Sequence, residues 1–393
     1  MTAIRKQFQI FAASLLLAAV PLGGAWAQTV DEAVQRLKEQ VEEQGAKIEW
    51  ESVDISGSDA VLVGVEVGTD EAMVPIGNVV LNGISRVDNG YRIEGIELDY
   101  YHFEDGEGAV TIEGVAMSGV LLPDEDAQDA YGGFMFYETA DIGGITVNVR
   151  GTDVFTLSDL HGEFTAPENG NPMEFTGAAE GFTLDLSIIE DPSQIAVLQA
   201  LGYEQLEGYI EVAGSWQPED GRMALSQYDL TVVDAGTLGF TFDLGGYTPS
   251  FIASLRELQK QMAENPEDDN SSQGLAMLGL LQQLSFHGAE IAFTDDSLTG
   301  KVLEFVAQAQ GMKPADVANQ AKAVLPFALA QLNNPDLTAQ ATQAVAAFLD
   351  DPQSLRITAA PAAPVPFALI MAGAMSTPQD LTRTLAVSVS AND

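Results

Sequence analysis

The chain contains no cysteine. Disulfides, thiolate nucleophiles and Cys-ligated metals are therefore excluded, and so is the lipid-modified cysteine that follows the signal of a bacterial lipoprotein. Basic residues are scarce, with 16 Lys and Arg against 58 Asp and Glu and a formal charge of −42. A surface of that sign repels phosphate backbones, which excludes nucleic acid as a partner, and charge alone does not draw it to anionic headgroups. Long apolar runs are missing beyond the N-terminus. The best candidate, Val365–Met375, is interrupted by Pro366 and falls short of the roughly 20 residues a spanning helix needs. No transmembrane anchor is expected after the first residues. A membrane β-barrel fits poorly with the C-terminal helical patterns and the final Asn392-Asp393, since barrel chains usually end in an aromatic strand.

What is present begins with Met1–Ala27. Arg5 and Lys6 give a positive start, Phe8–Leu22 is mainly apolar, and Ala25-Trp26-Ala27 is a small-x-small site. That three-part pattern predicts a secretory signal peptide cut between Ala27 and Gln28. Its removal takes two bases and no acid, so the mature chain is more acidic still. The remaining length is ample for a hydrophobic core without disulfides. Export into a bacterial periplasm is the expected localisation.

Residues 28–46 are read as an N-terminal amphipathic helix over Val30–Gln44, with Val30, Val34, Leu37 and Val41 on one face and Gly45 at its C-terminal end. Over 47–247 the hydrophobic period changes to two. Tyr91 and Ile93 follow an Asn89-Gly90 turn signal, and Ile96, Leu98 and Tyr100 alternate after Gly95, a candidate bulge. Ile145, Val147 and Val149 repeat the pattern, as do Phe182, Leu184 and Leu186, and then Ile210, Val212 and Trp216. The clearest run is Leu238, Phe240, Phe242 and Leu244. One-faced strands joined by short turns predict an antiparallel meander with one face to be covered. From 248 to 393 the period is helical: Phe251–Met262, Leu275–Leu284, Leu298–Ala309, Pro314–Leu332 with Pro326 expected to kink it, and Asp336–Leu349 with Leu337, Ala341, Val345 and Phe348 inward. Ser285–Phe293, Ser354–Ala359 and Leu385–Ala391 read as strands that return to the sheet. The fold class is α+β: a large twisted antiparallel sheet, curled or half-barrel, with C-terminal helices packed on it. Body and helical subregion are read as one continuous unit.

Catalytic signatures are missing. The three histidines, His102, His161 and His287, stand in strand-like sequence, and no G-x-S-x-G elbow occurs, Gly214-Ser215 lacking its flanks. His102-Phe103-Glu104 places two candidate metal ligands on one strand face, short of a zinc motif. Gly300-Lys301 and Gly106-x-Gly108 lack the rest of a phosphate-binding loop. Carboxylate pairs arise everywhere in so acidic a chain, and Trp50 and Trp216 alone do not furnish a sugar-stacking cleft. Asp124-Glu125-Asp126 with Asp129, and Glu267-Asp268-Asp269-Asn270, supply hard oxygen ligands without EF-hand spacing, so divalent cations are expected to associate without a specific site. No metal, cofactor or catalytic residue is assigned, and a non-enzyme is expected.

Four stretches carry a resemblance: Tyr137–Leu157; Leu201-Gly202-Tyr203 followed by Leu206–Trp216; Asp229–Leu244 with Asp234-Ala235-Gly236 as its turn; and Leu355–Ala391 with its spaced prolines. In cadence, over about half the chain, they resemble the AsmA-like proteins of the bacterial envelope and related β-rich periplasmic proteins of unknown function. The resemblance implies an envelope role, which for membrane-anchored members means moving or organising lipids, and it brings no catalytic residues. This chain departs from those members in its cleavable N-terminus. Three functions follow as expectations. The first is a β-groove holding lipid or another apolar ligand, lined by Ile210, Val212, Trp216, Leu238, Phe240, Phe242 and Leu244, against which stands a filled core built from the same residues. The second is an envelope scaffold that binds a protein partner through a strand edge or the acidic face. The third, ranked last, is a carboxylate- or metal-dependent hydrolase.

Overall fold

The computed structural model describes residues 24–393 except 44, 70–71, 107, 125–126, 128–134, 167–169, 190 and 265–269. Among the described residues, 17 strands form antiparallel sheet that is not closed into a barrel, with the helices mostly toward the C-terminus. The described chain divides into two compact units. Unit 1 holds residues up to Ala166 and Gly177–Asp185, and unit 2 holds Pro167–Thr176 and Leu186–Asp393. Unit 2 therefore takes β11–β13, defined below, out of the stretch read as a β-rich body and joins them to the elements after 248. Residues 1–23, most of the expected signal peptide, lie outside the described residues, as do all but one residue of each acidic cluster.

Unit 1 opens with helix α1 (Gly24–Glu43), whose described part includes the expected Ala27-Gln28 cleavage point. The strands are β1 (Lys47–Glu49), β2 (Ser52–Ser56), β3 (Asp59–Thr69), β4 (Ala72–Asn82), β5 (Ser85–Val87), β6 (Gly90–Asp105), β7 (Gly108–Pro123), β8 (Thr139–Val149), β9 (Thr152–Thr165) and β10 (Met173–Asp185), of which Met173–Thr176 belong to unit 2. They form a meander: β1 and β2 both pair with β3, β3 with β4, β4 and β5 both with β6, then β6 with β7, β7 with β8 and β8 with β9. Leu186, expected at the end of a strand, instead opens a 3-10 turn over Leu186–Ile188.

The apolar face of β1–β7 is closed by α1. Val30, Val34 and Leu37 recur at helical spacing and are fully buried against Ile48, Leu62, Leu81, Ile93 and Leu122. Polar contacts fix the helix on the sheet. Arg36 Nε donates to the Pro123 carbonyl at 2.5 Å and its Nη1 meets Glu43 at 2.9 Å, while the Tyr91 hydroxyl donates to Glu32 at 2.9 Å. The inward alternation along β6 is broken twice: the buried large side chains are Tyr91, Ile93, Ile96, Leu98 and Tyr101, and Tyr100 points to solvent. Each break lies opposite a glycine of β7 with positive φ, Gly119 (60°) and Gly114 (59°). Those left-handed turns of the backbone rotate the facing pair and move the inward face by one residue. The one-to-one register across Gly95 is kept, so Gly95 marks a change of face and not a bulge.

Unit 2 contains β11 (Gln205–Gln217), β12 (Arg222–Val232), β13 (Gly236–Gly245), β14 (Ser285–Asp295), β15 (Ser354–Ala359), β16 (Val365–Pro366) and β17 (Val387–Ala391). Pairing runs β11–β12–β13–β14–β15–β17, with β16 on β14 beside β15, so the chain's last strand does return to the sheet. Its helices are α2 (Pro192–Leu201), α3 (Pro249–Glu264), α4 (Asn270–Leu281), α5 (Leu298–Gln310), α6 (Pro314–Leu329), α7 (Pro335–Asp350), α8 (Phe367–Ser376) and the single turn α9 (Leu381–Thr384). Prolines stand in the first turns of α2, α6 and α7, where the missing N–H costs nothing, and Gly202 and Gly311 close α2 and α5 in the left-handed conformation. Helix α6 runs through Pro326 and tightens into a 3-10 turn at Ala330–Leu332. Helix α7 buries Leu337, Ala341, Ala344 and Phe348, so Ala344 takes the inward place expected for Val345. The helix packs against β15 and β17.

Candidate functional site

Directly opposed residues of an antiparallel pair share a face, so the registers of unit 2 define its apolar side. Ile210, Val212 and Trp216 of β11 oppose Leu230, Tyr228 and Met223 of β12. Leu230 opposes Leu238 and Leu225 opposes Phe242, across a register shift that keeps both on the same side. Leu238, Phe240 and Phe242 oppose Phe293, Ile291 and Ala289 of β14, Leu244 opposes Phe286, and Ile291 opposes Ile357, which opposes Val389. The other face is polar. Thr231 and Thr237 share a hydrogen bond of 2.8 Å, and Glu290 receives Arg356 at 2.9 Å and Thr358 at 3.1 Å.

This apolar floor is not filled in. Leu238 is 47 %, Phe240 38 %, Ile291 49 % and Ile357 45 % exposed, and of the seven residues read from the sequence as groove lining only Trp216 is buried. In unit 1 the equivalent face lies beneath α1. In unit 2 the cover is confined to the ends. Phe348 of α7 meets Phe293 edge-on at 6.4 Å, Phe367 of α8 meets Phe286 at 6.4 Å, and the Trp216 indole N–H donates to the Tyr247 carbonyl at 2.7 Å beside a Tyr247–Phe251 ring contact. Gly214 faces Phe175, and a Cβ at that position would stand 2.3 Å from the ring, so glycine is what lets the phenyl group close on β11. Between these covers the row Phe240–Ile291–Ile357 lies open. At about 4.8 Å per strand, the floor from β12 to β17 is roughly 20 Å wide, enough to hold an extended hydrocarbon chain. Ile291 and Ile357 were not picked out from the sequence. Their signal was the same period-two pattern, on strands separated from β13 by helices.

One end of the floor is fixed by a polar knot. Asp234, in the left-handed region (φ 58°), turns the chain from β12 to β13. Its carbonyl accepts from the Tyr203 hydroxyl at 2.7 Å and from Lys301 Nζ at 2.9 Å, and Lys301 lies over the Tyr203 ring. The Asp296, Ser297 and Leu298 amides, leading into α5, converge on the Ala235 carbonyl. Lys301 is thus held on the backbone of the hairpin, and the open floor itself carries no charged group.

His102 and His161 belong to unit 1, and His287 lies on β14 next to Phe286. His102 Nδ1 is 2.9 Å from Thr111 Oγ1, and Glu104 lies 3.9 Å from its other nitrogen; His287 Nε2 is 3.0 Å from Ser285 Oγ. Among the described residues no group of three or more His, Asp or Glu side chains is arranged to hold a metal ion. Asp124 forms an ion pair with Arg86 at 2.5 Å, and the hydrogen bonds from that guanidinium hold its carboxyl below the usual range. His161 lies 2.5 Å from Asp141 and 3.3 Å from Glu163, and hydrogen bonds to Asp141 first and Glu163 second raise its pKa above the ordinary 6.5. A raised imidazole pKa stabilises the fold fully below the unfolded value of 6.5 and stops doing so as pH climbs through the folded value. His161→Gln is therefore expected to lower the melting temperature at pH 6, with the gap to the parent narrowing above neutrality. Melting curves across that range check this, and a pH-independent gap would remove the ion-pair account.

A family model described only as "Uncharacterized protein" matches residues 229–392, which lie within unit 2 and begin inside β12. No curated protein matches the chain. Among the described residues no helix is long and apolar enough to cross a membrane.

Proposed function

We propose that the protein is a non-enzymatic, exported carrier or holder of an apolar ligand of the lipid class, bound on the open face of the unit 2 sheet. The observation that carries this reading is the exposed row Phe240–Ile291–Ile357 on a sheet whose opposite face is polar. A contiguous apolar surface left open in a soluble fold is a place where an apolar partner belongs. The residues lining it offer no nucleophile and no acid–base pair, so the site holds a ligand without transforming it. The signal-like Met1–Ala27 and the AsmA-like cadence agree with a periplasmic setting where lipids are handled.

The scaffold reading is favoured less. Among the strands with one described neighbour, β17 and β2 have five residues, β1 and β5 three and β16 two. Short edges give little template for strand addition. Native mass spectrometry of the gently purified chain from Gln28 onward tests the carrier reading. Adducts in the mass range of acyl lipids, with the same species in an organic extract, are expected. Adduct-free spectra with an empty extract would overturn it.

A further inference from the structure

Helices α4 and α8 share with α2 the lack of any charged side chain, and unlike α2 they are neighbours in the fold. Neither α8 (Phe367–Ser376) nor the stretch Gly274–Leu281 of α4 contains an Asp, Glu, Lys or Arg, in a chain that is 19% charged. Their large side chains stand in water: Leu275 is 70 %, Leu369 55 % and Met375 84 % exposed, and α8 buries none of its residues. The two helices are neighbours rooted at the start of β14. Helix α4 ends just before that strand, β16 pairs with it through Ser285 and Pro366, and the Phe367 amide donates to the Leu284 carbonyl at 3.0 Å.

The distribution of apolar residues decides what fits them. A helix that docks on a protein surface needs one apolar stripe, because a flat partner covers one side. Helix α8 is apolar around its whole circumference, and a medium that surrounds a helix on nearly all sides is the hydrocarbon of a bilayer. Its ten residues extend about 15 Å, half the thickness of the hydrocarbon core, so it enters one leaflet and does not span. Without cations at the tip and with −42 on the whole chain, no electrostatic attraction to anionic lipid contributes.

We propose that α4 and α8 form a hydrophobic tip that inserts into one leaflet of a zwitterionic lipid bilayer. This rests on the apolar-ligand reading and gives it a route. Phe367 at the base of α8 touches Phe286 of the sheet floor, so the inserted tip places that end of the floor at the membrane surface.

Vesicle flotation of the full chain from Gln28 onward tests the tip. The protein is expected to float with phosphatidylcholine vesicles and less with vesicles enriched in phosphatidylglycerol, the difference shrinking as salt is added. Leu369→Asp with Met375→Asp is expected to lower partitioning about tenfold or more, with an unchanged circular dichroism spectrum, since both side chains are already exposed. Bound acyl adducts are expected to persist in this variant. No flotation of the parent with phosphatidylcholine, or equal flotation of the variant, overturns the insertion. A parent dimer in sedimentation that the variant dissolves also overturns it, because a second copy then covers the tip. Acyl adducts without flotation sink the tip and spare the floor, and flotation of a chain that never carries adducts does the reverse.

Discussion

Leu37→Ala is expected to lower the stability of unit 1 by about 2–5 kcal/mol, the range for removing a buried leucine side chain from a filled core. Leu37 has no exposed surface and lies on α1 among Ile48, Leu62, Leu81 and Ile93, which are buried completely as well. The loss combines the transfer free energy of the removed methyl groups with the cavity left behind. Little relaxation is available to close that cavity. Gln40, fully buried one turn along, accepts from Arg36 at 3.2 Å and donates to Glu43 at 3.2 Å, and Arg36 is itself held on the Pro123 carbonyl. These bonds keep α1 at its distance from the sheet and prevent it from sinking toward the void. Against a typical domain stability of about 5–15 kcal/mol, the loss is large enough to move a urea midpoint plainly. Denaturation followed by far-ultraviolet circular dichroism measures it, and a loss under about 1 kcal/mol would mean that α1 does not close this face.

The contrast between a closed face in unit 1 and an open one in unit 2 was only partly legible in the sequence. Several strands were, because they carry a period of two, and Leu238–Leu244 was identified as one face of β13 from alternation alone. The start of α6 at Pro314 and the end of α5 at Gly311 were legible because proline and glycine act through the local backbone. Tyr101 in place of Tyr100 was not, since the change of face is imposed by Gly114 on the neighbouring strand and leaves no trace in β6 itself. The same holds for Leu225 and Tyr228, which share a face only because of a register shift between them and β11. What covers a face is a tertiary fact. Ile210 and Ile93 are equally apolar in sequence, yet one is half-buried and the other fully buried, because only the second has a helix over it. The helices that were expected to cover the sheet of unit 2 meet it at Phe293 and Phe286 and leave the middle open.

Placing carboxylates on the open floor separates a groove from a core. Phe240→Asp combined with Ile291→Asp is expected to lower folding stability by about 1–2 kcal/mol, short of the loss for a core leucine, while weakening the binding of a fluorescent fatty-acid probe about 100-fold or more. The two residues oppose one another across β13 and β14 and are 38 % and 49 % exposed, so the new carboxylates reach water, and the fold gives up only the part of each side chain that is buried plus the repulsion of two like charges placed opposite one another. An apolar ligand loses much more. Covering one large side chain is worth about 1.5 kcal/mol or more, so two such contacts account for a factor of about 100 in the dissociation constant, before the cost of desolvating a carboxylate beneath the chain is added. The effect on stability is thus predicted to be smaller than that of Leu37→Ala, where the side chain has no access to water. Urea denaturation and probe titration on the same preparation give both readouts. If the double variant loses several kcal/mol of stability, the face is closed in solution and these residues are core. If it is stable and still binds the probe as the parent does, the ligand lies elsewhere.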